Sequence, residues 1–66
     1  MSVSDLDIWR SANELIKQYG EEAWTEAVTR YFNVREKGDK EGMAVWRRIA
    51  RAIDDFTVVR RGEAEN

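Results

Sequence analysis

Apolar residues recur at helical spacing in three runs, separated by Gly20 and by the Gly38-Asp39 pair. In the first run Ile8, Trp9, Ala12, Leu15, Ile16 and Tyr19 fall within an arc of about 120° at 100° per residue. That spacing predicts a helix over about 5–19 with one buried stripe. Its start signal is complete: Ser4 stands in the N-cap position with Asp7 three residues on, and Val3 and Ile8 are spaced as a hydrophobic staple. Asp5 and Asp7 also favour the positive end of the helix dipole. Gly20 then stops the helix, as a residue free to enter the left-handed conformation.

A second helix is predicted over about 21–37, opening on Glu21 and Glu22. Trp24, Ala27, Val28, Tyr31 and Phe32 form its stripe, and Glu26 and Arg30 make an i,i+4 pair on the outside. Arg35 falls near the centre of that stripe, and is expected to pack its stem and keep its head in water. Asp39 is a good N-cap for a third helix over about 40–58. There Gly42, Met43, Trp46, Ile49, Ala50, Ile53 and Phe56 share one side, and Val45, Ala52 and Val59 widen it to about 200°. An arc that wide needs two neighbours: both other helices, or one of them and a second subunit. Gly42, on the inner face, leaves room for another backbone to come close.

The fold expected from this pattern is all-α: a compact three-helix domain over residues 1–59, with one tryptophan per helix meeting in a shared aromatic core. Trp46→Ala should then unfold the chain, at a cost on the order of 3–5 kcal/mol. Residues 60–66 lack an apolar period and are expected to form a disordered polar tail.

Length and composition narrow this further. At 66 residues the chain is one domain, near the size below which a single core hardly offsets the entropy of folding. It has neither cysteine nor histidine to staple it by disulfide or zinc, so efficient helix packing or association with a second copy must supply stability. There is no proline, and valine and threonine are too scattered for alternating strands. No stretch approaches the roughly 20 apolar residues of a bilayer crossing, and no leader pattern is visible, so a cytoplasmic location without membrane attachment is expected.

Charge divides unevenly. Residues 1–26 hold two basic and six acidic side chains, for −4; residues 27–61 hold nine and five, for +4; Glu63 and Glu65 bring the total to −2. Such a bipolar chain either matches its own helices or presents a basic face to a partner.

Chemistry has few candidates. Without His or Cys the usual general base and thiolate nucleophile are missing, and a metal site would need carboxylates alone. Adjacent Asp54 and Asp55 diverge by about 100° around a helix, and Gly38 to Gly42 lacks the Gly-Lys-Ser/Thr ending of a phosphate loop. No enzyme activity, cofactor or metal is therefore expected. Two readings remain. Arg47, Arg48 and Arg51 crowd one face of helix three and could contact nucleic-acid phosphates, although Arg51 is also spaced to pair with Asp55. The favoured reading is a small protein-interaction or adaptor module. Its expected edge is Val45, Ala52, Phe56 and Val59, which either joins a homodimer or is covered by helix one.

Trp9, Ala12, Leu15, Ile16, the Tyr19-Gly20 stop, Ala23, Ala27 and Arg30, followed by Gly38-Asp39, Gly42, Trp46, Ile49 and Ala52-Ile53, carry a resemblance. On these residues, residues 5–56 resemble a family of small helical bacterial proteins of unknown function, frequent among alphaproteobacteria. The resemblance implies a bacterial, cytoplasmic, all-helical protein, and it transfers no catalytic or binding residue.

Overall fold

The computed structural model describes the backbone of residues 3–65 and the side chains of residues 3–57. It is all-helical: α1 (Asp5–Tyr19), a 3-10 turn (Gly20–Glu22), α2 (Ala23–Glu36) and α3 (Lys40–Glu65). At about 1.5 Å per residue, the 26 residues of α3 account for most of the 43 Å long dimension. Helical backbone thus continues past the expected end near residue 58. The backbone of 60–65, expected as a disordered polar tail, is helical, while the side chains of 58–66, Val59 among them, lie outside the described residues.

Local chemistry sets the helix ends. The Asp7 N–H donates to Ser4 Oγ at 3.2 Å, and the Ile8 N–H to the Ser4 carbonyl at 3.1 Å. Val3, on the other side of the cap, packs against the core cluster that contains Ile8, as a staple requires. At the end of α2 the Asp39 N–H donates to the Val34 carbonyl and the Gly38 N–H to the Arg35 carbonyl, both at 3.0 Å. These are the two bonds of a Schellman motif, and Gly38 supplies its positive φ of 74°. Asp39 at once caps α3, accepting from the Gly42 N–H at 2.9 Å.

Two glycines depart from expectation in detail. Gly20 has φ 56° and ψ −123°, outside the left-handed helical basin and near the first central position of a type II′ turn. Its N–H still closes α1 by donating to the Ile16 carbonyl. Gly42 makes room for a side chain and not for a backbone: a Cβ there would lie 2.5 Å from Asp39 Oδ2 and 3.2 Å from Val34 Cβ. It is the capping carboxylate folded back over the first turn that needs the space.

The core is aliphatic. Ile8, Ala12 and Leu15 of α1, Ala23 and Ala27 of α2, and Ile49, Ala52 and Ile53 of α3 are buried together, with Val45, Trp46 and Ala50 partly buried against them. The expected aromatic core is therefore corrected. Trp9 is 43% exposed and Trp24 50%, and Trp46 sits at the margin of the cluster. The most buried positions of α1 and α2 are alanines instead, Ala12 and Ala27 both at 0% exposure, in a close-packed interior where a larger ring would not fit.

The wide apolar arc of α3 is divided between the two other helices, the first of the two arrangements expected for it. One flank meets α1: Phe56 packs edge-on to Trp9, with ring centroids 4.8 Å apart and planes at 84°. The other meets α2, where the Arg30 guanidinium lies 5.2 Å from the Trp46 ring centroid. No helix among the described residues is long and apolar enough to cross a membrane.

Candidate interaction surface

Because Ala23 and Ala27 face the core, α2 turns its bulky residues outward. Trp24 and Phe32 are each about half exposed, and Val28 and Tyr31 between them are partly covered. The opposite orientation would have taken Arg35, at the centre of the same stripe, out of water without a partner. Arg35 remains exposed instead, its guanidinium carbon 5.9 Å from the Phe32 ring centroid. From α3, Arg47 lies 5.9 Å over Tyr31, whose ring meets Phe32 edge-on at 5.5 Å and 75°. Both cations are within the range of cation–π attraction, worth about 0.5–1 kcal/mol at exposed sites. The result is an aromatic ridge with exposed Glu21 and Glu22 at its start and cations at its end.

The edge expected from sequence is largely internal. Ala52 is a core residue at 6% exposure, Val45 packs against the core, and Phe56 is partly buried with its ring edge-on to Trp9. Helix α1 covers Phe56, through Trp9, and the other described residues of the edge belong to or pack against the core shared by the three helices. Val59 lies outside the described side chains.

The arginines of α3 do not form one face free for phosphates. Arg48 Nη1 donates to the Val3 carbonyl at 2.8 Å and Nη2 to Asp5 Oδ1, tying α3 to the start of α1. Arg47 leans towards α2 over Tyr31, while Arg51 is exposed. Among the described residues no ion pair joins Arg51 to Asp55. The partner that Arg48 takes is 43 residues away in sequence, beyond the reach of helical spacing.

Arg30 was expected to pair with Glu26 on the outside. The pair exists, with Nε donating to Oε1 at 3.0 Å, but it is partly buried and lies against Trp46. The hydrogen bond to Glu26 holds the Arg30 pKa above its ordinary value, burial opposes this, and Tyr19 adds to it. A raised cation pKa stabilises the fold below the unfolded value and fails only as pH rises through the folded one. Arg30 is accordingly charged throughout the neutral range. Together with Arg10, Ser11, Glu14, Gln18 and Trp46 it lines an open groove between the helices. Among the described residues no three carboxylates are grouped to hold a metal ion.

Searched against protein-family models, curated proteins and solved structures, the chain matches none.

Proposed function

We propose that this chain is a three-helix, non-enzymatic protein-interaction module that works through the outer face of α2. The observation that carries the proposal is the inversion of size: alanines serve the core while Trp24 and Phe32 stay half in water. Large aromatics are costly to leave exposed and are enriched where interfaces form, since each buries about 150–250 Å² at small entropic cost. A chain this short has few residues with which to build a core, and it leaves two of its largest outside. The family resemblance adds the expectation of a bacterial cytoplasm.

Nucleic-acid binding through Arg47, Arg48 and Arg51 is the weaker reading. Arg48 is engaged by Asp5 and Val3, and a phosphate would have to displace that contact. Parallel capture on wild-type and Trp24→Ala/Phe32→Ala baits, with and without nuclease and at two salt concentrations, tests the choice. A protein retained by the wild type through nuclease and salt, and lost from the variant, is the expected result. Nucleic acid held equally by both baits and shed at higher salt would move the function to the arginines.

A further inference from the structure

The α2 face carries its own complement. Counting from Val28, Trp24 lies four residues before and Phe32 four after, while Glu21 lies seven before and Arg35 seven after. At 100° per residue Trp24, Val28, Phe32 and Arg35 fall within about 80° with Val28 at the middle, and Glu21, in the 3-10 turn just before α2, stays within the same arc when that turn is counted at about 120° per residue. The arrangement is a palindrome in shape and an anti-palindrome in charge: aromatic matches aromatic, and acid matches base. We infer that α2 pairs with α2 of a second copy, antiparallel about a two-fold axis through Val28. This inference rests on the interaction-module reading and names its partner.

The geometry follows from the symmetry. A two-fold at Val28 sets Trp24 of each copy against Phe32 of the other, and Glu21 of each against Arg35 of the other. At 1.5 Å per residue the charge pairs lie about 10 Å either side of the axis, at the rim, with the aromatics inside them. All four outer residues are exposed in the single chain, so they are available to a second one. Glu21 stands in the 3-10 turn that leads into α2, where a carboxylate also suits the helix start. An isologous contact of this kind closes at two copies and does not propagate. The exposed pair Leu6 and Trp9 on α1 has no such internal complement.

The contact is small. Four half-exposed rings at about 150–250 Å² each bring together about 300–500 Å² of aromatic surface, below the roughly 1,200 Å² of a durable interface. Self-association is thus weak and reversible, in the micromolar range or above. It is therefore sensitive to protein concentration in ordinary experiments.

The symmetry supplies a test that separates pairing from folding. Glu21→Arg alone makes both rim contacts Arg against Arg, and Arg35→Glu alone makes both Glu against Glu. Mixed, the two variants face each other with opposite charges at both rims, as does the double variant with itself. Sedimentation equilibrium over a concentration series is the measurement, with far-ultraviolet circular dichroism confirming that each variant is folded. The wild type should rise with concentration from 7.7 kDa towards twice that mass. Each single variant should stay monomeric at concentrations where the wild type associates, and the equimolar mixture and the double variant should associate again. A wild type that remains monomeric up to millimolar concentration overturns the inference, and so does a dimer indifferent to both charge reversals. In either case, loss of a captured protein partner from Trp24→Ala/Phe32→Ala would leave the interaction module standing with a different occupant.

Discussion

The two faces of α2 divide labour by size in the reverse of the usual order. Its inner face is Ala23 and Ala27, at 1% and 0% exposure; its outer face holds Trp24 and Phe32, each about half exposed. The inner face joins the cluster formed by Ile8, Leu15, Ile49 and Ile53 of α1 and α3. The outer face contributes little to the core and leaves two large rings half in water. In a small helical domain, burial follows the space between backbones before it follows the hydrophobicity of a side chain.

Enlarging the inner face should break the comparison most severely. Ala27→Leu places three extra carbons where there is no free space, and should cost about 3 kcal/mol, the upper end for overpacking. For a chain of this length total stability is about 3–10 kcal/mol, so urea unfolding should show a midpoint sharply lowered or a chain already unfolded. A Leu variant with the wild-type midpoint would mean that α2 is turned the other way.

Gly20→Ala probes the turn that aims α2. Space at this position is open, so the cost is that of backbone strain at φ 56°, about 1–3 kcal/mol. Thermal unfolding should show a lower midpoint with a helical signal unchanged below it. An unaltered midpoint would indicate that the turn relaxes to negative φ. Smallest is Arg48→Ala, which removes a partly exposed tie between α3 and the start of α1. It should cost below about 1 kcal/mol and leave the ridge intact. A loss of several kcal/mol would show that the tie, and not the aliphatic core, holds α1 in place.

What was legible in the sequence is what depends on near neighbours. The Ser4 and Asp39 caps, the Gly38 stop and the Glu26–Arg30 pair all follow from spacings of three or four residues, and all are present. The width of the apolar arc of α3 called for two neighbours, and left open whether the second was a helix of the same chain or of another copy. Orientation of α2 did not follow, because an apolar stripe that includes Trp24 and Phe32 outweighs one built on alanines in any hydrophobicity count. Arg35 at the centre of that stripe was the available signal: a charge in the middle of a supposed core face marks it as a surface. The Asp5–Arg48 contact had no local signal, since helical spacing relates only neighbouring turns. Its absence from the sequence pattern is what made the three arginines of α3 look like a single free face.

Trp24 stands on the outside of the fold, and its accessibility can be measured directly. In a variant carrying Trp9→Phe and Trp46→Phe, Trp24 is the sole indole, and its quenching by acrylamide can be followed in dilute protein, below any self-association. Quenching should proceed at about half or more of the rate found for the same chain unfolded in urea, as befits a ring 50% exposed. A folded protein in which Trp24 is nearly protected, and becomes quenchable only on unfolding, would contradict it and return the ring to the core.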